Sequence, residues 1–305
     1  MSKGSLFFGH ARGKLGQVVL STVKGQQIAR AWQPKVANPR TTAQQAQRAK
    51  FANAVKFYRR ATSNLFNFAF EDKRKTESDY NAFMRHNVDR AMIVNRASYD
   101  NINYPAIGYN WLMSSGSLGV VNPVKNENDT KQVIFRSVAL SGEKVYGDFT
   151  VADVSAAFNE KLGTLDGDFV TFVAVGSSAS EIGDEPSSLP IWAVNQLQLD
   201  SNNTTDKIIK IFDSQTPAWS TVITKEGDEN YFTVTNASAC WFAVILSRVT
   251  SSGVLVSSSD LVGNQFAENI YQASLQQSYR AAALNSWDRQ ANPILKGSII
   301  QESTL

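Results

Sequence analysis

Cysteine is nearly missing from this chain: Cys240 is the only one among 305 residues. That excludes an intrachain disulfide and a cysteine-based zinc cluster. Cys240 lies in the apolar run Ala239-Cys240-Trp241-Phe242-Ala243-Val244, where it reads as a small core residue. Histidine is almost as scarce, with only His10 and His86, and neither sits in the HxxxH or HxxE spacing of a metal site. No metal and no cofactor is expected. Long hydrophobic runs are also missing. No stretch reaches the roughly 18 apolar residues of a membrane span, and Leu6-Phe7-Phe8 falls far short of a secretory core. The expectation is synthesis in the cytoplasm without membrane contact.

Acid is missing from the first 70 residues. They hold twelve lysines and arginines, and the first carboxylate is Glu71. Residues 1–100 contain 18 basic and 6 acidic groups, a net +12, whereas residues 101–305 are net −9. A basic end can neutralise phosphates and gain from counterion release. It can equally dock on the acidic body of another copy, or simply be solvated. Composition leaves these readings open.

Catalytic signatures are absent in the same way. There is no Gly-x-Ser-x-Gly elbow, no dinucleotide fingerprint and no phosphate-loop lysine. Asp166-Gly167-Asp168, with Asp184 and Glu185, could in principle face a divalent cation, but the calcium-loop pattern is missing and a plain turn is the simpler reading. Carboxylates distant in sequence leave a carbohydrate-acting β protein as a third functional class, behind an assembly protein and a nucleic-acid-binding protein.

What is present suggests α+β architecture. Residues 1–16 carry Gly4, Gly9, Gly13 and Gly16 and read as an extended arm. Alternation over 17–22, a turn at Lys24-Gly25 and a return over 27–32 make a β-hairpin. An isolated hairpin is marginal in water, so Lys14, Val18, Leu20, Ile28 and Trp32 are candidate assembly contacts. Thr41 and Gln44 have capping-box spacing for a helix over about 41–62, with Ala43, Phe51, Ala54, Val55 and Tyr58 as its apolar face. Arg48, Lys56 and Arg59 fall within about 80° of one another on a different face, a candidate contact for phosphate or an acidic partner.

A second helix is expected from about 76–78 to 97, with Tyr80, Met84, Val88, Ala91 and Met92 as its stripe and Phe83 beside it. Beyond residue 101, strands are expected over 133–140, 145–149, 168–175, 191–199, 207–212, 231–235, 239–249 and 253–258. A helix behind a Thr150/Asp153 cap interrupts them, and a final helix spans about 266–287. Short strands with turn signals at this spacing suggest a sandwich-like domain. The divisions are an arm and hairpin (1–33), a basic helical region (34–100), a β-rich domain (101–262) and a C-terminal helix with its tail (263–305).

Four segments carry a resemblance: Gly13-Lys14-Leu15-Gly16-Gln17-Val18-Val19, Lys24-Gly25-Gln26-Gln27-Ile28-Ala29-Arg30, Asn38-Pro39-Arg40-Thr41-Thr42-Ala43-Gln44 and Gln47-Arg48-Ala49-Lys50-Phe51. Together, over about the first 60 residues, they resemble a recurring N-terminal module of proteins encoded by bacteriophages and prophages, many from gut bacteria. Tyr80-Asn81-Ala82-Phe83 with Asn87 also fits that group. The resemblance assigns no site residues. It implies a phage context and a location in the virion, as a capsid, connector or tail component. The partners would be copies of itself and other virion proteins, with nucleic acid as a further partner of the basic region.

Overall fold

In the computed structural model, the structure describes residues 12–23, 25–34, 41–63, 66–91, 110–142, 144, 146–176, 191–208, 219–236, 240–265 and 267. It is α+β and mostly β. The chain divides into two compact units. One comprises Met1–Thr41 with Arg74–Thr76, and the other comprises Thr42–Lys73 with Glu77–Leu305.

The first unit is a meander of three antiparallel strands: β1 (Gly13–Leu15), β2 (Val18–Val23) and β3 (Gln26–Ala31). Gly16 (φ 59°) and Gly25 (φ 81°) supply the left-handed backbone that its two tight connections need. The hairpin therefore forms at the register its turn residues suggest. The expected extended arm over 1–16 is corrected at its end: Gly13–Leu15 is a strand paired with Val18–Leu20. Residues 1–11 of that arm lie outside the described residues.

The second unit opens with α1 (Thr42–Ser63). No glycine or proline interrupts this stretch, and alanine, glutamine, lysine and arginine favour the helix. At its end Thr62 Oγ1 donates back to Tyr58 O, and Ser63 Oγ donates to Arg60 O, one of the last carbonyls without a helical partner. The buried face is Ala46, Ala49, Asn53, Ala54, Phe57 and Ala61; of the expected stripe Ala54 lies on it and Val55 and Tyr58 pack half-buried against the same core, whereas Ala43 and Phe51 do not. Ala43 is exposed and Phe51 half-exposed. A helix lined mainly by alanine packs closely, so the fully buried Phe57 becomes its anchor. The Phe57 ring stacks on Trp111 (4.7 Å) and Phe83 (6.2 Å).

Strand β4 (Ala69–Phe70) leads to α2 (Asp79–Asn87). Ser78 caps α2, its hydroxyl accepting from Asn81 N, and Asp79 adds a negative charge to the first turn. The helix was expected to reach residue 97 but ends at Asn87. The reason is tertiary: the buried Asn87 amide accepts from Leu112 N (2.7 Å) and donates to Leu112 O (3.0 Å), as a neighbouring strand would. Residues 92–97 lie outside the described residues. Phe83, set beside the expected stripe, is fully buried at the centre.

Leu112 opens β5 (Leu112–Ser115), which pairs in parallel with β4. Next come β6 (Val124–Lys125), β7 (Gln132–Leu140), α3 (Val151–Leu162), β8 (Phe169–Gly176), β9 (Ile191–Gln198), β10 (Trp219–Glu226), β11 (Glu229–Asn236) and β12 (Cys240–Thr250). The short strands β13 (Gly253–Val256), β14 (Ser259–Asp260) and β15 (Val262–Gly263) finish the described elements. One sheet has the order β10-β11-β7-β6, and the other β13-β12-β8-β9 with β15 also on β12; β14 pairs with β5.

Strand β12 is apolar on both faces, which explains its unbroken hydrophobic run. Trp241, Ala243 and Ile245, with Val173 and Val175 of β8, join the core that contains Phe57, Phe83 and Trp111. Cys240, Phe242, Val244 and Leu246, with Val170, Phe172 and Ala174, join a second core. That core includes Val133 and Phe135 of β7, Phe232 and Val234 of β11, and Val154 and Phe158 of α3. Each fully buried side chain of this kind contributes about 1.5–3 kcal/mol.

The Thr150/Asp153 cap is a full capping box, and α3 ends at left-handed Gly163 (φ 64°). The expected strand at 145–149 is instead a short 3-10 turn, Tyr146–Asp148, because the helix cap follows at once and the turn delivers Phe149 to the core. Of the expected strand at 207–212 the described residues give only a bridge between Lys207 and Thr150. Strand β10, absent from the expected set, pairs with β11 across the Glu226–Glu229 turn. The final helix lies almost wholly outside the described residues, as does the tail.

Candidate interaction surface

Register fixes which meander side chains share a face, because directly paired residues point the same way and neighbours along a strand point oppositely. Leu15 pairs with Val18, Val18 with Ala31, and Leu20 with Ala29. These five residues form a small apolar face. Lys14 pairs with Val19, Val19 with Arg30, and Ser21 with Ile28. Trp32 continues this second face, its backbone N donating to Gln17 O, and Lys14 Nζ stands 3.1 Å from the Trp32 ring centroid. Such a cation over an exposed indole contributes about 0.5–1 kcal/mol.

The structure thus separates the five candidate arm residues into two groups. Lys14, Ile28 and Trp32 lie on the mixed basic face, and Val18 and Leu20 on the apolar one. Leu20 is the one described residue of this meander that is buried, at 7% exposure, while Leu15, Val18, Ile28 and Trp32 are each exposed by 40% or more. Apolar side chains are therefore exposed on both sides of this small sheet.

On α1, Arg59 is exposed, whereas Arg48 and Lys56 are half-buried and each has an interaction partner. Lys50, on a different side of the helix, donates to Asp89 O.

The carboxylates of the 166–168 turn are held by different partners. Asp168 is 3% exposed and holds Arg248 through both oxygens at 2.7–3.1 Å, raising the arginine's pKa. Asp166 faces elsewhere: its Oδ1 accepts from Ser201 Oγ, Ser201 N and Asn159 Nδ2. Those bonds, led by the Ser201 hydroxyl, hold its pKa below the ordinary carboxylate value. Asp184 and Glu185 lie outside the described residues. His86 stacks on Phe70 and hydrogen-bonds Asp72, which Arg85 also grips, and hydrogen bonds led by that of Arg85 keep Asp72 below the usual range. Burial pushes the Cys240 thiol well above its ordinary value, away from the thiolate form that reacts. Among the described residues no three histidine, cysteine or acidic side chains are placed to hold a metal ion, and no helix is long and apolar enough to cross a membrane.

Residues 10–180, more than half of the chain, match a family described as Family of unknown function (DUF6266). The chain belongs to this family. The DUF6266 segment takes in the described meander, α1, α2 and α3, and runs on past the end of β8. It leaves out β9 to β15, including β12, which closes both cores. No curated protein and no solved structure matches the chain.

Proposed function

We propose that the protein is a non-catalytic structural subunit of a bacteriophage particle, assembled in many copies through its N-terminal meander. In this reading the basic hairpin and helices form the docking region, and a sandwich-like β domain with its C-terminal helix forms the body. The observation that carries it is the meander itself, with apolar side chains exposed on both faces and Leu20 the one buried side chain among its described residues. Such a sheet gains its stability from what covers it, and in closed shells and rings the cover is a neighbouring subunit. The phage context rests on the resemblance of residues 1–60, and the virion is the location that follows from it.

The test is sedimentation of nuclease-treated, full-length protein. Large assemblies that form without nucleic acid support the reading; a monomer at all concentrations refutes it. A second reading, a nucleic-acid-binding protein of the infected cell, draws on the acid-free first 70 residues. It predicts oligonucleotide binding that falls steeply with salt.

A further inference from the structure

The unit that contains the meander holds nine lysines and arginines and no acidic residue, counting Met1–Thr41 and Arg74–Thr76. Its counter-charge must come from outside the unit. On the described mixed face, Lys14 and Arg30 flank Val19 at paired positions, and Trp32 and Ile28 add exposed apolar surface beside them. Cations next to an aromatic and an aliphatic side chain suit a partner that is anionic and folded, with both charge and contact area to offer.

Residues 101–305 carry a net −9. Within them five described carboxylates are held in ion pairs: Asp148 on Lys207, Asp153 on Lys144, Asp168 on Arg248, Glu226 on Arg136 and Asp260 on Arg90. Others are exposed outside such pairs, Glu127, Asp228 and Glu229 among them, and one junction gathers three from separate segments. Where α3 ends, Asn159 Nδ2 donates to both Asp166 Oδ1 and Ser201 Oγ, which draws the helix, the 165–168 turn and the 199–206 loop together. Around that junction Glu160, Asp166 and Asp200 are exposed. Asp166 is held by the neutral donors Ser201 and Asn159, and Asp200 Oδ1 by Asn202 N. Hydrogen bonds from neutral donors fix these carboxylates in place and leave their charge uncancelled. Lys161 follows Glu160 but points about 100° further round the helix.

Resting on the structural-subunit reading above, we propose that the Lys14–Arg30–Trp32 face of the meander docks on the acidic end of α3, around Glu160 and Asp200, in a second copy of this chain. Both surfaces are exposed in the single chain. The contact joins two different patches, so it is heterologous and propagates from copy to copy, as a ring or shell requires.

The test uses full-length, nuclease-treated protein and sedimentation velocity at about 0.1 M and about 1 M salt, where charges are screened over about 10 Å and 3 Å. The wild type is expected to associate more weakly at high salt. Lys14→Glu with Arg30→Glu weakens association by on the order of tenfold or more. Adding Glu160→Lys and Asp200→Lys to the same chain restores it, which also shows that the first variant had not simply unfolded. Association that ignores the first pair of changes, or that the second pair does not rescue, overturns the proposal. So does a variant that assembles normally but loses binding to a single-stranded oligonucleotide, which assigns the face to nucleic acid. A wild type that never associates refutes the structural-subunit reading itself, an outcome separate from failure of the variants alone.

Discussion

Arg248 grips Asp168 through Nε and Nη2, with three contacts of 2.7–3.1 Å to a carboxylate that is almost wholly buried. The pair ties β12 to the turn that starts β8, and Asp168 also accepts from Leu165 N to close that turn. Arg248→Met keeps much of the side chain's bulk but strands a buried negative charge, so it is expected to lower stability by about 3 kcal/mol. Urea denaturation of the variant measures it; a loss under about 1 kcal/mol contradicts the buried-pair account.

Asn87 acts as a surrogate strand for Leu112. Asn87→Ala leaves the Leu112 amide and carbonyl without these partners in a buried site. The expected cost is about 2–4 kcal/mol. Asn87→Asp keeps the acceptor for Leu112 N but sets a buried carboxylate oxygen against the Leu112 carbonyl, so it is expected to cost at least as much as Ala. Thermal unfolding of both variants ranks them.

Much of the fold was legible wherever the signal is local. Gly25 at the hairpin turn, the Thr150/Asp153 box and the apolar run from Cys240 to Leu246 each announce their element from a few adjacent residues. The misses share a cause in distance. Asn87 ends α2 through a partner 25 residues away. Apart from Phe57, the buried face of α1 is made of alanines and Asn53, which carry little hydrophobic periodicity, and Phe51 drew the expected stripe toward an exposed position. Strand β10 mixes Thr, Val, Ile and Lys, and only its pairing with β11 defines it. At the candidate surface the residue types were readable. That Lys14 and Trp32 meet while Val18 and Leu20 turn away follows from register, and register needed all three strands.

The two phenylalanines of α1 give a direct contrast. Phe57→Ala removes a ring stacked between Trp111 and Phe83 in the core and is expected to cost about 3–5 kcal/mol. Phe51→Ala, at a half-exposed position, is expected to cost under about 1 kcal/mol. Chemical denaturation of both settles which face is inside. Equal losses would contradict the assigned rotation of the helix.

Asp153 links the α3 cap to pH. Burial acts to raise its pKa, but hydrogen bonds from Lys144 and Thr150 outweigh it, and the folded-state value lies below the ordinary one. A carboxylate with a depressed pKa stabilises the fold above its unfolded value of about 3.9 and loses that contribution as pH falls through the folded value. Asp153→Asn is therefore expected to lower stability by about 1 kcal/mol at pH 7. The difference from the wild type should shrink as pH falls through the folded-state value. Melting temperatures of both proteins across that range check the sign; a gap that widens in acid would contradict it.

The central claim is that the N-terminal meander joins copies of the protein, and one comparison tests it most directly. Nuclease-treated full-length protein and a variant lacking Met1–Trp32 are weighed by mass photometry at matched concentration, with circular dichroism reporting on the β body of each. The account predicts a multi-copy assembly for the full chain and a folded monomer for the shortened one. An identical oligomer from both, or a monomer from both, would contradict it.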